Sequence, residues 1–162
     1  MGLTMQRVHR SIHGFVRGLS PPTAKIDTPV SEAVSTMRAR QVACVLIIAD
    51  DGGGKLVGIF TERDLLNRVV AQGLSVDDTT LGEVMTPNPE TLQLGDSISF
   101  AINRMAVGGY RNVPIVDAHH KPLAVLSIRH VVKHLRDVFE DSELIDLPAE
   151  VASPWVDIGG SG

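Results

Sequence analysis

Gly58-Ile59-Phe60-Thr61-Glu62-Arg63-Asp64 closes an apolar run with a hydroxyl and three charges, and a new apolar periodicity starts directly after it. Leu56, Val57, Ile59 and Phe60 have the make-up of a buried strand. Leu65, Leu66, Val69 and Val70 recur at the three-and-four spacing of a helix face. The stretch therefore reads as a strand running into a helix, with Thr61 at the N-cap and Asp64 at the third helical position. Hydroxyl and carboxylate then share a helix mouth, where unpaired backbone N–H groups point outward. The same spacing serves two purposes: a capping box, which needs no ligand, or the polar edge of a binding site.

Working outward, the sequence repeats. A shift of 68 positions carries Pro21 onto Pro89, Thr23 onto Thr91, Ala33 onto Ala101, Met37 onto Met105, Val45 onto Val113 and Ile47 onto Ile115. Past the glycine-rich loop the shift becomes 66, pairing Lys55 with Lys121, Thr61 with Ser127, Arg63 with Arg129 and Leu65 with Val131. The second copy has the shorter loop.

Each copy reads as a lead-in helical turn, a short strand, a helix, two strands joined by a tight loop, and a closing helix. In copy one these fall at 12–19, 23–26, 29–40, 44–49, 55–60 and 62–71, and in copy two at 81–85, 91–94, 97–107, 112–117, 122–126 and 128–139. Thr28 and Asp96 are the expected N-caps of the first long helix of each copy. Val30, Ala33, Val34 and Met37 form its apolar stripe, so Met37 and Met105 are read as core. Gly52-Gly53-Gly54 leads into a strand, whereas phosphate-binding loops lead into a helix, so it is read as a hairpin turn. A unit of this size buries too little surface alone, and the two copies are expected to pack face to face around a shared core, leaving two related clefts. The expected fold is α/β in the α+β sense, two tandem β-α-β-β-α repeats packed as a pseudo-twofold pair. Its divisions are 12–73 for repeat one, 74–87 for the linker and second lead-in turn, 88–139 for repeat two, and 140–162 for an acidic tail, mobile at its Gly/Ser-rich end. Trp155 and Val156 stand out in that tail as residues able to dock on a protein surface.

The totals exclude several classes. The chain has 162 residues, 43% of them hydrophobic, a formal charge of −4 and no basic run, which argues against nucleic-acid binding. No apolar run reaches membrane-spanning length, and Met1 to Arg10 is followed by no signal core, so no membrane association is expected and the cytoplasm is the expected location. Cys44, the single cysteine, lies in the apolar run 42–49 and is read as a small buried hydrophobe. The pairs His9/His13 and His130/His134 have metal-compatible spacing but no third ligand, and His119-His120 reads as a hairpin turn, so no metal site is expected. No nucleophile–base pair can be assembled, and no enzyme is expected.

With both copies laid out, the chain resembles a tandem pair of CBS domains, the module also called a Bateman module, over roughly residues 12–136. The resemblance is carried by Pro29-Val30-Ser31-Glu32-Ala33-Val34 with Met37, the strand 45–50, the stretch 56–66, Val84-Met85-Thr86, and Asn112-Val113-Pro114-Ile115-Val116-Asp117. It implies a sheet with helices on its faces in each copy and a homodimer. It also implies a non-catalytic regulatory role: binding an adenosine-containing ligand such as AMP, ADP, ATP or an S-adenosyl compound, with no obligatory cofactor, and signalling to an effector protein in trans.

Carried onto these residues, the resemblance places the ribose hydroxyls at Asp64, whose ionised carboxylate can accept two hydrogen bonds, with Thr61 beside it and Ile59 lining the base pocket. The facing wall would come from copy two: Met85 and Glu90 near the base, Tyr110, and Arg111, whose guanidinium suits a phosphate. In the second cleft Ser127 keeps the hydroxyl, but His130 replaces the carboxylate and Ala43 stands where copy two has Arg111. One competent site and one altered or unused site are therefore expected. The alternative is a ligand-independent dimerisation or scaffold module in which Thr61 and Asp64 only cap a helix.

Overall fold

The computed structural model describes residues 12–14 and 20–140 of the chain. The rest of the first lead-in turn, His9, the tail beyond Glu140 and Trp155 lie outside the described residues.

Copy one supplies β1 (Thr23–Lys25), α1 (Val30–Arg40), β2 (Cys44–Ile48), β3 (Leu56–Thr61), and α2 (Glu62–Asp64), a single turn that widens into a π-helix over Leu65–Val70. Copy two supplies α3 (Leu81–Val84), β4 (Thr86–Pro87), α4 (Ile98–Gly108), β5 (Asn112–Val116), β6 (Pro122–Ser127) and α5 (Ile128–Glu140). β1 runs parallel to β2, and β2–β3 and β3–β4 are antiparallel, giving a four-stranded sheet in the order β1-β2-β3-β4. β5 and β6 form a second, antiparallel sheet.

The repeat holds at the level of register. Val45 pairs with Phe60 as Val113 pairs with Leu126, Cys44 with Thr61 as Asn112 with Ser127, and the ladder shifts between Ile47 and Ile48 as between Ile115 and Val116. Ala24 pairs with Ile47, and the isolated bridge Leu92–Ile115 reproduces that pair in copy two. The expected strand 91–94 is thus reduced to Leu92. Gln93 cannot extend it, because its N–H donates to Asp96 Oδ2 at 2.8 Å and its carbonyl accepts from Asp96 N–H at 3.1 Å. The glycine triplet is the hairpin turn, with Gly52 and Gly54 at φ of +74° and +66°.

Several local expectations are corrected. Thr28 does not cap α1: Pro29 is the N-cap residue, and Val30 and Ser31 donate to the carbonyls of Thr79 and Val76 in the linker, both at 2.9 Å. Those bonds satisfy the first helical N–H groups from outside the helix, and the Thr28 hydroxyl accepts from Lys25 N–H instead. They also make the linker less exposed than its composition suggests, and Thr79 is buried. In copy two the cap is Ser97, which accepts from Phe100 N–H at 3.2 Å, because Asp96 is spent on the preceding turn. Of the apolar residues in the helix after β3 only Val69 is buried, while Leu66 and Val70 are each 60% exposed. There the last turns use the wider spacing, Ala71 N–H donating to Leu66 and Leu74 N–H to Val69, which rotates the apolar positions off one face.

Three clusters fill the interior. The first packs Val30, Ala33, Met37, Val45, Ile47, Phe60 and Val69 of copy one with Leu81 and Val84 of α3. The second packs Leu92, Ile98, Ala101, Met105, Val113, Ile115, Leu126 and Val131 of copy two with Ile12. Each lead-in turn therefore completes the core of the other copy, Ile12 being pinned by its N–H on Asp96 O at 2.9 Å. The third cluster, Cys44, Leu46, Leu56, Ile59 and Val116, joins the two sheets. Burial pushes the Cys44 thiol up to about 12, with Glu62 adding to the shift, so it stays protonated and inert near neutral pH.

Candidate functional site

The strand–helix junctions of both copies open into one cleft of about 1320 Å³ between the sheets. Each junction is built alike. The first N–H of the closing helix, Glu62 or Ile128, donates to the carbonyl of Ala43 or Arg111 at 3.2 and 2.8 Å, fixing each helix mouth beside the start of the neighbouring strand.

At the first junction Thr61 and Asp64 form the full capping box. Asp64 N–H donates to Thr61 Oγ1 at 3.3 Å, Thr61 N–H donates to Asp64 Oδ2 at 2.9 Å, and the Thr61 hydroxyl donates to the same oxygen at 2.7 Å. The cap thus uses Oδ2. Among the described residues Oδ1 has only long contacts, with Thr86 Oγ1 and Arg68 Nε, each at 3.4 Å. A bond of that length lies well past the usual optimum. Thr86 and Arg68 both line the cleft, so Oδ1 is the oxygen a hydroxyl from the cleft can reach. Asp64 is 8% exposed.

Ile59, Glu90, Tyr110 and Arg111 also line the cleft, and so do Ala43, Ser127 and His130. Met85 does not. Its side chain lies over Gly58, where a Cβ would collide with the thioether and stand 3.3 Å from Thr86 O, and it packs against the first core cluster. Gly58 is therefore what lets β4 and Met85 approach β3 so closely. The Glu90 carboxylate is held by the Tyr110 hydroxyl and by the Arg104 guanidinium, which also stacks 5.6 Å from the Phe100 ring centroid. That network fixes the wall and neutralises its acid. Arg111 is exposed and engages no carboxylate among the described residues.

At the second junction His130 imitates Asp64. Ser127 N–H donates to His130 Nδ1 and His130 N–H donates to Ser127 Oγ, each at 3.3 Å. An imidazole that accepts at Nδ1 must be neutral. Burial lowers its pKa, and Lys133 and Arg129 push in the same direction. The unfolded chain then binds the proton more readily, so this contribution to stability is complete above about pH 6.5 and is lost as the pH falls through the folded value. His130→Asn, which keeps an acceptor but cannot titrate, should show a shallower fall in melting temperature than the wild type between about pH 7.5 and 5.5. Equal slopes would contradict this role. With its acceptor already used and Pro22, Val42 and Ala43 on the facing wall, this half of the cleft offers no ribose carboxylate.

Sequence reasoning missed Arg68 and Thr86 as neighbours of the carboxylate. The four-residue spacing of Asp64 and Arg68 on one helix face was the available signal for the first. Among the described residues no three His, Cys, Asp or Glu side chains gather as a metal site, and no helix is long and apolar enough to cross a membrane.

Comparison with known proteins bears on the family and the fold. A family model described as CBS domain matches 16–71 and 81–137. The CBS domain-containing protein CBSCBSPB3 of Arabidopsis thaliana is 37% identical over 114 residues, which are 70% of this chain and 20% of that protein. The chain spans 16–20% of the length of the first curated relatives it matches. Among solved structures, the CBS-domain containing protein ATU1752 from Agrobacterium tumefaciens matches with TM-score 0.70 and 28% identity over 77% of this chain and 92% of that one. CBS domain protein PAE2072 from Pyrobaculum aerophilum, solved complexed with AMP, matches with TM-score 0.71 and 22% identity over 81% and 99% of the two chains. The CBS domain pair of protein MJ0100, solved with 5-methylthioadenosine and S-adenosyl-L-methionine, matches with TM-score 0.71 and 22% identity over 80% and 98%.

Proposed function

The chain belongs to the CBS-domain family, as two CBS domains in tandem, and from that premise we propose that it is a non-catalytic regulatory module binding one adenosine-containing ligand at Thr61 and Asp64. The observation that carries this reading is the division of labour on the Asp64 carboxylate. Oδ2 is consumed by the helix cap, whereas Oδ1 keeps acceptor capacity at the cleft wall. Capping and binding are thus compatible uses of one side chain. Ribose hydroxyls donate to Oδ1, Ile59 offers an apolar surface to the base, and the uncommitted Arg111 guanidinium takes a phosphate. Two proteins of this fold hold adenosine compounds, AMP in one and methylthioadenosine with S-adenosylmethionine in the other, which favours this ligand class.

Output passes to an effector protein in trans from a cytoplasmic homodimer. Titration calorimetry of the full chain with AMP, ADP, ATP and S-adenosylmethionine tests the reading, and the expected result is one equivalent of ligand per chain. No heat and no thermal shift with any of the four would leave the scaffold role, in which the capping box is the whole purpose of Thr61 and Asp64.

A further inference from the structure

Arg68 touches two parts of the molecule that the cleft chemistry does not otherwise connect. Its Nε lies 3.4 Å from Asp64 Oδ1, and its Nη1 donates to the carbonyls of Val84 at 3.1 Å and Met85 at 2.5 Å. Those carbonyls end α3, the turn that closes the linker between the repeats, and they belong to the acceptors a helix leaves unpaired at its C-terminus. A planar guanidinium can serve a carboxylate and two carbonyls at once, whereas an ammonium is a single point of charge. Next along the chain, Thr86 contacts the same carboxylate oxygen while pairing with Ile59 in the sheet, and Pro87 pairs with Gly58.

The geometry points to Arg68 as a positioning residue that sets the Asp64 carboxylate and transmits its occupancy to the linker turn, an inference resting on Asp64 being the ligand-binding group. Thr61 fixes Oδ2 alone, so the orientation of Oδ1 depends on Arg68 and Thr86. A ligand hydroxyl donating to Oδ1 competes with both of these long contacts. Arg68 then leans on the carbonyls of Val84 and Met85, and the segment from Leu81 to Asn88, of which Thr86 alone lines the cleft, changes its hydrogen bonding.

Amide hydrogen exchange over residues 81–88, in the full chain, reads this directly. Without ligand, Asp64→Asn keeps an acceptor for the cap but removes the charge that holds Arg68, and it should speed exchange in that segment. In an Arg68→Gln background the same change should have no further effect. With AMP or ATP, Arg68→Gln should bind roughly three- to tenfold more weakly, and its loss should not multiply with that of Asp64→Asn, as for residues in contact. Arg68→Lys should recover part of the affinity but not the ligand-induced change at 81–88. Unaltered exchange in Asp64→Asn, or independent losses in the double variant, overturns the inference. If no adenosine compound binds the wild type, the ligand reading fails and the ligand-free comparison alone decides whether the Asp64–Arg68 bridge governs the turn.

Discussion

Under the proposed function, replacing Asp64 with alanine should weaken binding of an adenosine compound by roughly ten- to hundredfold, equivalent to about 1.5–3 kcal/mol. The size follows from the kind of hydrogen bond that disappears. A hydroxyl donating to an ionised carboxylate makes a charge-assisted bond, which an alanine cannot supply. Two other carboxylates line the cleft: Glu90 is tied to Arg104 and Tyr110, and Glu62 stands at an exposed position outside the capping box; at the second junction His130 accepts from Ser127 N–H instead. The substitution also removes the capping box, a loss typically near 1 kcal/mol in stability, so affinities are compared at a temperature where both proteins are folded. Thr61→Ala separates the two effects. It loses cap bonds while leaving the carboxylate, and its affinity should fall less than that of Asp64→Ala. Unchanged binding in Asp64→Ala removes this cleft edge from the ligand site.

Phe60→Ala is the largest expected loss of stability, about 3–5 kcal/mol. Phe60 is 0% exposed, faces the first core cluster, and pairs with Val45 one residue before the cap. Its removal leaves a cavity bounded by α1, β2 and α3, elements also tied together by backbone hydrogen bonds through the linker, so collapse around the void is limited. For a domain of this length the melting temperature should drop by roughly 10 °C. Leu66→Ala is the matched control: at 60% exposure on the following helix it should stay within about 0.5 kcal/mol. A Phe60 loss as small as that of Leu66 would mean the ring is not packed as described.

The difference between those residues marks how far the sequence could be read. Repetition revealed the two loop-joined strands of each copy, because Val45, Phe60, Val113 and Leu126 are apolar residues placed where a sheet must bury them. The junction at Thr61 was legible for the same reason, since a cap is a local motif. The π-helical turn was not, because the spacing of Leu65, Leu66, Val69 and Val70 suits an ordinary helix and the choice of partner carbonyl is made by the surroundings. Thr28 failed as a cap since residues some 50 positions away supply the carbonyls that α1 needs. β4 has two residues and exists through the edge of β3, with Gly58 leaving the room. At the site, the residue types in the cleft were readable, but the split between Oδ1 and Oδ2, and the turning of Met85 away from the cleft, are matters of ångströms.

The crossing of the lead-in turns gives the chain a particular ancestry of contacts. Ile12 sits in the core of copy two, and Leu81 and Val84 sit in the core of copy one. A protein with a single copy could fill its own core only by trading arms with another chain. Joining two copies in tandem turns that trade between molecules into an internal one, and makes it independent of protein concentration. The halves are consequently not separable products. A fragment cut after the first closing helix keeps all three of its strands and the Asp64 carboxylate, yet it lacks the two apolar side chains, Leu81 and Val84, that seal it, and it can regain them only from a second molecule.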